Sequence, residues 1–297
     1  MATNDSKRTS NIAFLIFGIC NDMATMASAI SYLYDNSKSG ELERLRGLEA
    51  IEDAATIALL SVLKLPVDAC CLEVGAGAGS IASWLAAEAG QDAHVVATDI
   101  DTSLLDSTAY EVWRHDIERD ELPEDAFDLI HLRHVLIHLT KSSHTRVMDA
   151  LFRATKCGGF LIAEESDLRS WHVDEYTPDA MRQTFSAGVD AMIAIYSSRG
   201  IDFGLGARLA DMVSNVGFET IKSSEKYRSV QGASPEAAYQ EVSVRQLAET
   251  AHIDNPALVP RLCAFADCFR DRQLQYRTRT TVSVVATKRG WTKEQCR

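Results

Sequence analysis

The sequence predicts an α/β fold, a doubly wound and mostly parallel sheet of seven strands, and three observations carry that prediction. Short apolar runs of strand length, at 70–72, 94–99 and 127–132, are separated by stretches in which apolar residues recur at helical spacing. Between the first run and the helix after it stand an acid and three glycines at alternate positions, Glu73, Gly75, Gly77 and Gly79. From residue 209 the alternation of strand and helix resumes and runs to a final strand. Strands that alternate with helices of this length give a parallel sheet covered on both faces, a Rossmann-like architecture.

In chain order, residues 1–10 are polar and are expected to lack fixed structure. Residues 11–34 carry apolar side chains on nearly all faces of a helix, among them Ile12, Phe14, Phe17, Met23, Ile30 and Leu33, and such a helix must be buried. A second subunit is expected to contribute to that burial, which predicts a homo-oligomer joined through this helix. The stretch 35–40 (DNSKSG) is turn-rich. Residues 41–65 resume helix through Leu42, Leu45, Leu48, Ile51, Ala55 and Leu59 until Pro66 stops it. Residues 1–65 are read as a helical cap and oligomerisation segment, and 66–297 as the cofactor-binding domain.

Beyond the glycine turn and its helix, strands are expected at 94–99, 112–116, 127–132 and 160–163, with helices at 101–110 and 140–155. The second helix runs into Lys156-Cys157-Gly158-Gly159, a basic last turn with a glycine stop. Residues 167–205 interrupt the alternation with Trp171, His172, Tyr176, Phe185, Tyr196 and Phe203 on mainly helical patterns, and are read as a lid insert. A helix at 209–216, a strand at 221–230, helices at 235–252 and 256–275 and a strand at 277–287 follow.

Composition limits the function classes. A hydrophobic fraction of 46% and a charged fraction of 24% suit a buried core rather than a disordered chain. The formal net charge of -12 argues against nucleic acid as a partner, because a phosphate backbone calls for a basic face. No apolar run reaches the length of a membrane span, so no membrane partner is expected. Seven cysteines form neither CxxC pairs nor a regular framework, which points to a reducing compartment, the cytoplasm. Asn21 and Asp22 interrupt the apolar run at 12–20 and argue against a secretion signal. No metal site is expected.

Glycine tolerates positive φ and leaves no Cβ between backbone and ligand, so the turn after the first strand is a cofactor site. A dinucleotide site would need a further glycine where this chain has Ser80. The spacing Glu73-x-Gly75-x-Gly77-x-Gly79 instead resembles motif I of class I S-adenosylmethionine-dependent methyltransferases. Asp99 stands twenty positions beyond Gly79 at the next strand end, suited to a ribose in either class. The flanking sequence separates the two. DAFDLIHLRHVLIHL at 125–139, a helix, and KCGGFLIAEES at 156–166 resemble, in this order, elements of ubiquinone- and menaquinone-type methyltransferases and their small-molecule relatives. ELERLRGLEA at 41–50 resembles the helix ahead of motif I in that group. Cys157 stands where the family usually has proline, and the turn before motif I lacks the usual Pro-Gly pair. A fainter resemblance, resting on the apolar N-terminal helix, is to bacterial C-methyltransferases that act on prenylated indoles of the teleocidin type.

The resemblance implies S-adenosylmethionine as cofactor and S-adenosylhomocysteine as product, with roles that carry over position by position. It places Glu73 at the methionine amino group, directly or through water, and lets Gly75, Gly77 and Gly79 pass the backbone under the cofactor. Asp99 takes the ribose and Ile100 packs on the adenine. Asp116 accepts from the adenine amino group with Ile117 beside it, and Arg133 lies near the methionine end.

A sulfonium is already an activated electrophile, so the protein mainly holds the acceptor in line and excludes water. A hydroxyl or ammonium acceptor must also lose a proton, and His is the commonest agent near neutral pH. His134 and His138 after the fourth strand, and His172 with Glu165 at the next strand end, are the candidates. His138 also fits an orienting role for the following helix, and His131 reads as a satisfied core histidine. A carbon acceptor such as a prenyl alkene needs no base but wants aromatic walls and a dry pocket. Tyr32, Tyr34, Trp171, Tyr176, Phe185 and Tyr196 are the candidates for that lining, and a small hydrophobic substrate is expected. Ser80 disfavours an NAD-dependent oxidoreductase. His131-Leu132-Arg133-His134, in place of an N/D-P-P-aromatic motif, disfavours an amino-group DNA methyltransferase, and a non-catalytic protein that keeps the cofactor fold is the alternative from another class.

Overall fold

Residues 40–90 and 92–289 are described by a computed structural model; the helix expected at 11–34, with Tyr32 and Tyr34, lies outside the described residues. The chain runs α1 (Glu41–Leu60), β1 (Cys70–Val74), α2 (Ser80–Glu88), β2 (His94–Asp99), β3 (Glu111–Arg114), β4 (Phe127–Arg133), α3 (His144–Ala154) and β5 (Thr155–Asp167). It continues through β6 (His172–Val173), α4 (Asp179–Ser198), α5 (Leu209–Asn215), β7 (Glu219–Lys226), β8 (Ser229–Gln231), α6 (Pro235–Asp254), α7 (Val259–Cys268), β9 (Gln275–Arg277) and β10 (Thr280–Thr287).

The seven-stranded sheet has the order β3-β2-β1-β4-β5-β10-β7. Strands β3, β2, β1, β4 and β5 are parallel, and β10 is antiparallel to both its neighbours. The order reverses between β1 and β4, and open sheets of this kind bind ligands outside the carboxyl ends of the strands at that reversal. The central strands bury apolar residues at successive positions because both faces are covered: Leu72, Leu129, Ile130, Leu132 and Ile162 are fully buried. On one face Ile81, Ala82 and Leu85 of α2 pack with Cys71, Val95, Ala97, Leu129 and Val285.

Helix α1 falls in one compact unit with the sheet, but its buried stripe is not the apolar one that the leucine spacing suggested. Glu41, Arg44, Leu45, Glu52, Thr56 and Leu60 face inward, whereas Leu42 is 47% exposed. These positions share one helical face, and the stripe is mostly polar, with Leu45 and Leu60 its apolar members. Arg228 binds it from outside, donating to the Ile51 carbonyl at 3.0 Å and to Glu52 at 3.1 Å.

Four further expectations are corrected. Residues 101–110 form turns instead of a helix, because Asp101 accepts from the Ser103 amide at 3.0 Å and Asp106 from the Thr108 amide at 2.9 Å. Such local bonds compete with the helical ladder. Gly158 and Gly159 lie within β5, which begins directly at the end of α3, and not in a loop before a strand at 160. The expected strands at 221–230 and 277–287 each divide, and their outer pieces build a second sheet in the order β6-β9-β8. The helix expected at 256–275 is a short turn at Pro256–Leu258 followed by α7.

Within the expected insert, α4 packs along α7. Gly188 permits the approach, since a Cβ there would lie 2.2 Å from the Phe265 ring. Trp171, Phe185, Phe265, Phe269 and Tyr276 form one aromatic cluster, with centroids 4.9 to 6.1 Å apart. Among the described residues no helix is long and apolar enough to cross a membrane.

Candidate active site

The glycine turn leaves β1 and enters α2 with positive φ at all three glycines, 64° at Gly75, 59° at Gly77 and 83° at Gly79. Three side chains close around it: Val135 over Gly75, Leu45 of α1 over Gly77, and Tyr110 against Gly79. A Cβ at Gly75 would lie 2.5 Å from Val135 Cγ2 and one at Gly79 2.1 Å from the Tyr110 hydroxyl, so neither position accepts a side chain without displacement. The glycines thus let Val135, Leu45 and Tyr110 close on the backbone of the turn at the carboxyl end of the central strand.

Asp99, at the end of the neighbouring strand, accepts from the Gly77 amide at 2.9 Å and the Asp101 amide at 3.1 Å. Burial pushes its carboxyl pKa up while these amides pull against that shift. The Asp99 carbonyl accepts from the His115 amide at 2.9 Å, which brings the segment after β3 alongside. There Asp116 is half-buried, accepting from the Glu118 amide at 2.9 Å, with Arg119 Nε 3.4 Å from its carboxylate. Ile117 is buried, and Ile100 is 41% exposed. Asp99, Ile100, Asp116 and Ile117 therefore converge beside the glycine turn.

Beneath the turn a polar belt crosses four adjacent strands. Glu73 on β1 is opposite His131 on β4, and His131 Nδ1 lies 2.6 Å from Glu73 Oε2. The other ring nitrogen is 3.3 Å from Glu164 Oε1 on β5. Glu164 also accepts from the Ser283 hydroxyl of β10 at 2.6 Å and the Thr56 hydroxyl of α1 at 2.5 Å. Arg133 donates to Thr56 at 3.0 Å and to Asp53 at 2.8 Å. Burial works against the His131 imidazolium, but Glu73 and Glu164 more than reverse this and raise its pKa to about 9. Burial likewise opposes the Glu164 carboxylate, and the bonds from His131, Ser283 and Thr56 overcome it and lower the pKa to about 2. His131 is the core histidine that the sequence suggested, satisfied on both sides. Arg133 turns toward α1 and not freely along the strand end.

His134 follows β4 with φ 55°, rare for a residue other than glycine, and its amide donates to the Glu164 carbonyl at 2.8 Å. Its Nδ1 is 3.5 Å from Ser166 Oγ, and its Nε2 is buried with no hydrogen-bond partner. Ser166 accepts from Arg279 at 2.8 Å, and Arg279 also donates to Gln240 at 3.2 Å and to the Tyr239 hydroxyl at 3.4 Å. Burial, then Arg279 and Arg133, hold the His134 pKa well below the usual imidazole range. His138 lies in the short turn at Leu136–His138, and burial with Arg44 and Arg279 nearby lowers its pKa to about 3. It is His144 that ties α3 to this turn, through Nε2 3.0 Å from the Leu136 carbonyl.

Glu165 is fully buried and accepts from the Leu136 amide at 2.7 Å, and burial raises its pKa to about 8. His172 does not join it. That histidine is exposed on β6, paired with Arg277 in the small sheet. Trp171 and Phe185 sit in the aromatic cluster, Tyr196 is 4% exposed within α4, and Tyr176 is 78% exposed. The sequence reading missed Asp53, Thr56, Glu164, Ser166, Tyr239, Gln240, Arg279 and Ser283. Adjacent acids at the end of an apolar strand, Glu164 and Glu165, were a legible signal; the residues of α1 and α6 offered none. Among the described residues no group of His, Cys, Asp and Glu side chains is placed to hold a metal ion.

The donor set fits an adenosyl cofactor with an amino-acid arm: carboxylates stand at adjoining strand ends on both sides of the glycine turn. A model of the methyltransferase domain family matches residues 49–223, more than half of the chain. No curated protein matches the sequence. Among solved structures, the chain is similar to a candidate methyltransferase from Bacillus halodurans at 14% identity and a TM-score of 0.51, covering 80% of this chain and 99% of that one. It is equally similar to the YcgJ protein of Bacillus subtilis, at 14% identity and a TM-score of 0.51 over 81% and 100% of the two chains. A Haemonchus contortus phosphoethanolamine N-methyltransferase 2 with bound S-adenosyl-L-methionine matches at 14% identity and a TM-score of 0.47, over 80% of this chain and 53% of that one. The chain belongs to the methyltransferase domain family and is an S-adenosylmethionine-dependent methyltransferase.

Proposed function

We propose that the chain methylates a hydroxyl or amine of a small, largely apolar molecule, with His134 as the base. The observation that carries this reading is the buried Nε2 of His134, a nitrogen without a hydrogen-bond partner on a ring kept neutral by burial and by Arg279 and Arg133. A neutral imidazole accepts a proton, and its place beyond β4, one residue from the Val135 that covers Gly75, puts it beside the glycine turn.

S-adenosylmethionine, when bound, supplies the methyl group on an electrophilic sulfonium. Glu73 holds the methionine ammonium, Asp99 takes the ribose hydroxyls, and Asp116 with Ile100 and Ile117 receives the adenine, while Gly75, Gly77 and Gly79 admit the backbone approach. Ser166 orients the His134 ring through Nδ1, leaving Nε2 toward the acceptor. Arg133 braces α1 over the site through Asp53 and Thr56.

Two further parts of the reading concern the whole molecule. The apolar pattern at 11–34 joins subunits into a homo-oligomer, which light scattering of a chain lacking residues 1–34 tests: an unchanged number of subunits refutes it. The cysteines of the described residues, Cys70, Cys71, Cys157, Cys263 and Cys268, are all free thiols, which supports residence in the cytoplasm.

The test of the reaction is mass spectrometry of a metabolite extract incubated with enzyme and a deuterated-methyl cofactor. A product labelled on oxygen or nitrogen is expected, with the rate lowered 100-fold or more in His134→Ala and S-adenosylhomocysteine binding retained. A product labelled on carbon overturns the assignment in favour of an alkene or prenyl acceptor, and full activity in His134→Ala overturns His134 as the base.

A further inference from the structure

We propose that His131 is a positioning residue of the cofactor site, fixing the Glu73 carboxylate for the methionine ammonium and linking it, through Glu164, to the helix α1 that covers the site. The inference rests on Glu73 holding that ammonium.

Glu73 is 4% exposed and His131 fully buried, so neither can exchange its partner for water. The 2.6 Å contact uses Glu73 Oε2 and holds the carboxylate in one orientation, which leaves Oε1 for the ligand. The other side of the ring is held too, at a longer distance. Glu164, 3.3 Å from Nε2, is itself bound by Thr56 and Ser283, so α1, β5 and β10 all bear on the ring's placement.

Charge gives a second, independent reason. The connected groups are three carboxylates, Glu73, Glu164 and Asp53, and two cations, Arg133 and the His131 imidazolium. Their formal sum is one negative charge, in a place where an uncompensated buried charge is costly. An ammonium on Glu73 completes the balance, whereas a neutral residue at 131 would leave the cluster with two charges to compensate. The belt therefore selects a ligand whose arm presents an ammonium to Glu73 and fixes where that ammonium sits.

Calorimetry with two ligands separates positioning from general support. S-adenosylhomocysteine carries the amino-acid arm; 5′-methylthioadenosine keeps the adenosine and thioether and lacks it. The wild type is expected to bind both. His131→Asn is expected to weaken S-adenosylhomocysteine at least tenfold and to leave 5′-methylthioadenosine within twofold. Equal weakening of both ligands, or unchanged S-adenosylhomocysteine binding, overturns the inference. Binding of neither ligand by the wild type overturns the cofactor site itself. If His131→Asn does not fold, nitrogen NMR of histidine-labelled wild type decides: the His131 ring should be doubly protonated at pH 7.5 and its signals should move with S-adenosylhomocysteine but not with 5′-methylthioadenosine. A neutral ring, or equal movement with both ligands, overturns the proposal.

Discussion

Replacing Gly79 by alanine probes the closure of the glycine turn against the segment that follows β2. At φ 83° an L-residue is disfavoured by roughly 1–2 kcal/mol. The added methyl would fall 2.1 Å from the Tyr110 hydroxyl and 3.2 Å from Leu105 Cδ2, so Tyr110 must move. Its hydroxyl then gives up the bond it accepts from the Asp106 amide at 3.3 Å, worth about 1 kcal/mol. The expected loss of unfolding free energy for Gly79→Ala is therefore about 2–3 kcal/mol. Tyr110→Phe alone loses only that bond, about 1 kcal/mol. In the double variant the nearest ring atom, Cζ, lies 3.3 Å from the new Cβ, a contact that a small shift relieves. The two losses should then fall short of additivity by about 1 kcal/mol in a double-mutant cycle read by urea denaturation. Strictly additive losses would refute the reasoning, because they would mean that the two side chains do not compete for one place.

Three other outcomes are expected. The Glu165 pKa is raised from 4.5 to about 8, so wild-type stability drains away as pH climbs from 4.5 to 8 and is constant beyond. Glu165→Gln has no such loss and should gain on the wild type by as much as ~5 kcal/mol across that window; a pH-independent difference in chemical denaturation would contradict it. Because His134 titrates well below 6.5, the transfer rate should be flat between about pH 6 and 8, and an acidic limb near 6.5 that vanishes in His134→Ala would count against a neutral ring. Trp171→Ala should lower stability by about 3–5 kcal/mol, since the ring is enclosed by Phe185, Phe265 and Phe269, whereas Tyr176→Ala should change it by less than about 0.5 kcal/mol. Thermal or urea unfolding of the two variants measures the contrast.

The polar stripe of α1 ties this helix to the ends of the strands beside the glycine turn. A helix held to a sheet by apolar packing alone can slide at modest penalty, but Thr56 and Asp53 are bound at fixed distances to Glu164 and Arg133. Directional bonds in a buried place fix register as well as distance.

Much of this protein was legible in one dimension. The turn from Glu73 to Gly79, the strand at 94–99 and its terminal Asp99 follow from local chemistry: glycine conformational freedom, uninterrupted apolar runs and the place where a carboxylate ends a strand. The seven-stranded, mostly parallel sheet follows from their alternation. Where local signals competed, the reading went astray. Residues 101–110 had helical spacing, yet Asp101 and Asp106 bind their own following amides and the chain turns instead.

Only the tertiary structure decided the rest, because the deciding contacts join residues far apart in sequence. Thr56 and Glu164 are separated by 108 positions and Glu164 and Ser283 by 119, and no periodicity in either segment announces the other. The belt arises from strand register, which sets Glu73 opposite His131 and Glu164 opposite Ser283. The aromatic residues of the insert looked alike in sequence, and packing alone sent Trp171 and Phe185 into a cluster while leaving Tyr176 in solvent. The sequence by itself determined the conformation of the glycine turn, since that depends on residue types within one turn. Which side chains surround and orient the reacting groups was decided by how distant strands and helices meet.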